Sequence, residues 1–91
     1  MTPIEKYDAA SAAYLRNTTF TGKSGRTVDN YRARLLRFRD AWIAAHGGEP
    51  QNDPDFSDVL AYRDALMENG NAASTVRQYL VELRAFFEAM E

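Results

Sequence analysis

Apolar residues recur along this chain at spacings of three and four, and one such run occurs twice. Thr27-Val28-x-x-Tyr31-x-x-x-Leu35-x-x-Phe38 returns as Thr75-Val76-x-x-Tyr79-x-x-x-Leu83-x-x-Phe86, each matched position 48 residues from its partner. On a 3.6-residue wheel Val28, Tyr31, Leu35, Phe38 and Trp42 share one arc, widened by Leu36 and Ile43. In the second copy Val76, Tyr79, Leu80, Leu83, Phe86, Phe87 and Met90 make a broader stripe. That breadth predicts burial against more than one neighbour, or a covered C-terminal end. The repeat predicts two similar helices in one small pseudo-symmetric module.

Two further helices complete the pattern. Thr2-Pro3-Ile4-Glu5 combines a capping hydroxyl, a proline suited to the first helical position and a glutamate at capping-box spacing. Ile4, Tyr7, Ser11 and Tyr14 then follow as a stripe, flanked by Ala10 and Leu15, and the helix is expected to end near Asn17. Thr18 to Lys23 reads as a connection with Phe20 anchored in the core. The second helix is expected from about Arg26 to His46, capped by Ser24 or Thr27 and stopped by Gly47-Gly48. Glu49 to Asp55, with Pro50 and Pro54, reads as a loop. The third helix spans about Ser57 to Asn69, with Val59, Tyr62, Arg63, Leu66 and Met67 on its buried side and Gly70 at its C-terminal cap. The fourth starts near Ser74 or Thr75, where Thr75 and Gln78 have capping-box spacing. No segment alternates as a strand, so the expected architecture is an all-α four-helix domain. Helices this short depend on packing their apolar faces together.

Ninety-one residues make one domain, and 45% apolar composition with eleven aromatic residues can fill a modest core. The absence of cysteine excludes disulfides and thiolate zinc sites, and the single His46 cannot build a histidine-rich metal centre. No cofactor is implied. No apolar run is long enough to span a membrane or to resemble a signal peptide, which makes an intracellular, cytoplasmic protein the default. The net charge of -2 argues against nucleic acid when taken whole, but the charges are segregated. Gly22 to Arg39 holds six cations and one acid, whereas Asp40 to Ala72 holds seven acids and one arginine. A polarised chain of this kind can present one basic surface.

Both repeated helix starts combine hydroxyls with cations: Lys23, Ser24, Arg26 and Thr27 at the first, Ser74, Thr75, Arg77 and Gln78 at the second. Unpaired amides and the helix dipole favour a phosphate there, and hydroxyl or guanidinium donors add to it. Ordinary capping explains the hydroxyls equally well, but not the cations. Lys23, Arg26, Arg34 and Arg37 fall away from the apolar arc and are the phosphate candidates, against the plain alternative of a solvated helix face. Arg32 and Arg39 lie at its edge, to snorkel outward or to pair with the acidic third helix. The unequal charge of the copies assigns more phosphate contact to the second helix than to the fourth. The repeated aromatics are spaced for a core rather than a stacking platform, with the Tyr31 and Tyr79 hydroxyls at its edge. Asp53, Asp55 and Asp58 lack the full pattern of a calcium loop and are explained by helix capping. No catalytic constellation is visible.

The ordered set resembles the N-terminal core-binding, SAM-like domain of tyrosine recombinases, the phage integrase family. The likeness rests on the Thr27-to-Phe38 run followed by Trp42, on Tyr62-x-x-x-Leu66-x-x-x-Gly70, and on Ala73-Ser74-Thr75-Val76-Arg77-x-Tyr79-Leu80-x-x-Leu83-Arg84-x-Phe86-Phe87. It covers nearly the whole chain. The resemblance implies one half of a clamp on double-stranded DNA, with a separate C-terminal catalytic domain as partner and other recombinase protomers as neighbours. Glu91 falls where a linker to that domain is expected. The resemblance also implies that the second and fourth helices approach DNA, which favours Lys23, Arg26, Thr27, Arg34 and Arg37 with Ser74, Thr75, Arg77 and Gln78. Gln78 is placed to reach a base edge if its helix enters the major groove. The rival expectation is a helical protein-interaction module without DNA contact, motivated by the acidic third helix and the stripe ending at Met90.

Overall fold

The Thr2-to-Glu5 start forms as its spacing predicts in the computed structural model, which describes residues 1–90. Glu91, the expected start of a linker, lies outside them. Thr2 Oγ1 accepts from the Glu5 amide at 3.1 Å and the Glu5 carboxylate accepts from the Thr2 amide at 3.1 Å. The first helix, α1, then runs over Pro3–Phe20, three residues beyond Asn17. Threonine hydroxyls turn back onto the added turn. Thr18 donates to the Tyr14 carbonyl at 2.8 Å and Thr19 to the Leu15 carbonyl at 3.0 Å, so neither competes with the helix. The consequence is a correction: Phe20 ends the helix on its outer side, 88% exposed, and anchors nothing in the core.

Helix α2 covers Gly25–Ala45, α3 Phe56–Glu68 and α4 Ala73–Met90. Ser24 is the cap of α2, its Oγ accepting from the Thr27 amide at 3.2 Å. Asp55 and Asp58 cap α3 reciprocally, at 3.1 and 2.8 Å. That makes capping the role of these two acids; Asp53 instead accepts from Lys6 Nζ at 2.8 Å. Gly48, at φ 94°, sends the chain out of α2 in a left-handed conformation that a side chain would strain. His46 holds the turn from above, its Nε2 lying 2.6 Å from Asp58 Oδ1 in the first turn of α3. Helix α4 begins at Ala73, earlier than expected. Thr75 therefore sits inside the first turn, and the capping box with Gln78 does not form.

The starts of α2 and α4 are thus themselves 48 residues apart, and the repeat is a repeat of burial. Val28 and Val76, Leu35 and Leu83, and Phe38 and Phe86 are all buried, the two phenylalanines at 0% exposure. Helices α2 and α4 pack on each other, and α1 and α3 each pack on both. The two copies therefore form the centre of an all-α four-helix bundle. Their facing stripes meet around an aromatic cluster. The Phe38 ring lies 5.4 Å from Tyr62 and 5.7 Å from Phe87, both edge-on, and the Phe86 ring lies 5.5 Å from Tyr7. Tyr7 brings a polar tip into this core and satisfies it by donating to the Leu35 carbonyl at 2.8 Å. Burial pushes the Tyr7 phenol far above its ordinary value.

Leu36 and Met67, expected on buried arcs, are exposed, as is Arg63. They stand at the edges of their arcs, where Arg63 pairs with the adjacent Asp64 at 3.0 Å. Arg39 does leave the edge of its arc to find an acid, but that acid is on α1. Its Nε and Nη2 donate to the two oxygens of Asp8 at 2.6 and 3.0 Å. Arg32 pairs within its own helix, with Asp29 at 2.6 Å. Neither reaches the acidic third helix.

Candidate nucleic-acid interface

At the start of α2 the hydroxyls are used locally. Ser24 donates to Thr27 Oγ1 at 2.9 Å while capping the Thr27 amide, so both side chains serve the helix end. Lys23 and Arg26 are exposed beside them and form no salt bridge among the described residues. The start of α4 differs. Ala72 precedes it, and a methyl group cannot accept from the first-turn amides. Ser74 and Arg77 are exposed there and Thr75 half-buried, with no acid paired to Arg77 among the described residues. The two starts share a sequence pattern and a register, but only the first is closed by its own cap.

Between these starts, α2 and α4 are bridged by a polar cluster. Arg34 pairs with Glu82 through Nη1 and Oε1, and both side chains are largely shielded, at 27% and 14% exposure. Gln78 Nε2 donates to the same Glu82 oxygen at 3.1 Å from one turn earlier on α4. The Arg34 guanidinium lies over the Tyr79 ring at 4.9 Å, and that of Arg37 stands 5.9 Å from the same ring. Such contacts hold a cation in place without neutralising it. Arg37 has no carboxylate partner among the described residues and is exposed.

Beneath the cluster lies a cavity of about 170 Å³ lined by Tyr14, Tyr31, Arg34, Gln78 and Glu82, among others. The second carboxylate oxygen of Glu82 is buried without a hydrogen-bond partner. Burial pushes the Tyr14 phenol up, with Tyr31 and the Glu82 charge adding to it. Tyr31 and Tyr79 are both half-buried.

The structure therefore joins Arg34, Arg37 and Gln78 through Tyr79 and Glu82. It leaves Lys23, Arg26, Ser74 and Arg77 as separate exposed groups near the two helix starts. Glu82 escapes a reading of the sequence, where an isolated acid on a helix looks like a solvated one. A signal was present nonetheless: position 82 is the repeat partner of position 34, with the opposite charge. Among the described residues no cluster of acids and histidine converges to hold a metal ion. None of the described helices is long and apolar enough to cross a membrane.

In comparisons with known proteins, residues 12–91 match the family model described as phage integrase, N-terminal SAM-like domain. No curated protein and no solved structure matched.

Proposed function

The chain belongs to the phage integrase family as its N-terminal SAM-like, core-binding domain, and on that premise we propose that its α2–α4 face lies on duplex DNA. The module itself is the non-catalytic, DNA-binding part of such a protein. In this reading it positions the duplex for a separate catalytic domain, which supplies cleavage and joining. The observation that carries the reading is the set of cations left without acids on and just before these two helices: Arg26 and Arg37 of α2 with Lys23 ahead of it, and Arg77 of α4. The open amides at the α4 start add a second phosphate contact beside Ser74 and Thr75.

The acids do not oppose this arrangement: Asp29, Asp40, Glu82 and Glu88 of α2 and α4 are each paired with an arginine, Glu5 and Asp8 lie on α1, and the remaining acids among the described residues gather on and before α3. Sequence-independent phosphate contact gives the affinity, and Gln78 is the side chain with base-reading chemistry on the same face. Binding of labelled duplex DNA, followed by fluorescence anisotropy at salt concentrations between about 50 and 200 mM, tests the proposal. Affinity that falls steeply with salt is expected. No duplex binding at the lowest salt would remove autonomous DNA contact from the domain's functions.

Protein contacts belong to the same reading. The catalytic domain and neighbouring recombinase protomers are its partners. An apolar groove of about 770 Å³ between α3 and α4, lined by Val59, Leu60, Leu80 and Phe87, offers a surface suited to such contact. Phe56, 75% exposed at the groove edge, extends it.

A further inference from the structure

We infer that Glu82 is a positioning residue for base recognition, holding the Gln78 amide in the one orientation that presents an acceptor and a donor together to a base edge. The inference rests on the proposed placement of α2 and α4 against DNA. Glu82 itself is shielded and makes no DNA contact in this arrangement.

The chemistry of the acceptor carries the argument. A glutamine amide has a donor end and an acceptor end, and on an exposed helix face it rotates freely between them. An ionised carboxylate accepts only, so Glu82 Oε1 at 3.1 Å selects the Nε2 end of Gln78. The Gln78 carbonyl oxygen and its second N–H are left for a partner. That pair matches the adenine edge in the major groove, where N6 donates and N7 accepts. Glu82 is in turn held by Arg34, which is packed on Tyr79. The residues behind Gln78 thus come from both copies of the repeat. The exposed side chain is oriented by a shielded ion pair rather than by its own rotamer preference. Holding it beforehand removes part of the ordering cost of binding.

Selection from a pool of duplexes with a randomised centre, followed by titration of single-position variants of the selected site, tests the assignment. Wild-type protein is expected to prefer adenine at one position by roughly 5- to 150-fold, the usual discrimination of a bidentate pair. Gln78→Ala is expected to abolish that preference. Glu82→Met keeps the length but offers Gln78 no carboxylate acceptor, so the preference should fall toward unity while binding to random duplex persists. Glu82→Asp, which keeps an obligate acceptor, should restore part of the preference. Preference retained in Glu82→Met but lost in Gln78→Ala would overturn the positioning role. Duplex binding with no base preference in wild type would overturn the inference and leave the DNA-binding reading standing; no salt-sensitive binding at all would overturn both. Nitrogen relaxation of the Gln78 side-chain amide in the free wild-type protein supplies a readout that needs no variant. An ordered amide is expected, and one as mobile as an unrestrained surface glutamine would count against the role.

Discussion

Arg34 and Glu82 are the tenth residues of α2 and α4, and they form an ion pair across the two helices. The equivalent positions of the repeat thus meet each other, with opposite charges. Two copies of one helix brought together at the same register place identical apolar residues in a shared core. At a rim position identical charges would repel, and this pair replaces repulsion with attraction.

Removing one partner of that pair should cost more than removing both. Arg34→Ala leaves a carboxylate only 14% exposed without its cation, and a loss of about 1–3 kcal/mol is expected. The double variant Arg34→Met with Glu82→Leu should recover much of it, because no charge is then stranded. Urea denaturation of the three proteins gives the comparison.

The two aromatic residues at opposite extremes of burial should behave oppositely. Phe38→Ala empties a site of 0% exposure and is expected to cost about 3–5 kcal/mol. That loss would bring a domain of this size close to unfolding. Phe20→Ala, at the exposed end of α1, should change stability by less than about 0.5 kcal/mol. Paired thermal melts by circular dichroism decide it.

Acid should loosen the helix starts. The Thr2 amide, then its hydroxyl, hold the Glu5 carboxyl below its ordinary 4.5. The Ser57 hydroxyl, then the Asp58 amide, do the same for Asp55 relative to 3.8. A carboxyl whose folded value is depressed binds its proton more readily when unfolded. Its contribution is therefore complete above the ordinary value and is lost as pH falls through the folded one. Melting temperature should drop through this acidic window, and Asp55→Asn, which still caps but does not titrate, should flatten the drop.

Paired and unpaired arginines should separate in DNA titrations. Replacing Arg26 or Arg77 with glutamine should weaken binding across sequences and lower the salt dependence by about one phosphate contact each. Replacing Arg39, bound to Asp8 at 2.6 Å, should lower stability and leave the salt dependence unchanged. Equal effects at all three positions would place the basic face elsewhere.

The helices, the core and the family likeness were legible in the residues because they rest on local periodicity. Val28, Leu35 and Phe38 lie on one arc whatever they pack against, and the second copy repeats the arc. Helix ends were legible where a short side chain caps its own amides, as at Thr2 and Asp55. They were missed where no capping side chain marks the end: α1 continues through Thr18 and Thr19, whose hydroxyls turn back onto it instead of competing with it. Charge partners were beyond reach of the pattern. Which acid meets Arg39, and that Arg34 meets Glu82 rather than solvent, follows from how the helices cross, a relation between residues distant in sequence. The repeat determined that two like helices exist, since burial periodicity is a property of each helix alone. The packing of those helices decided that Arg34 is held and Arg37 left without an acid. Only there do side chains of different segments come close enough to pair or to be kept apart.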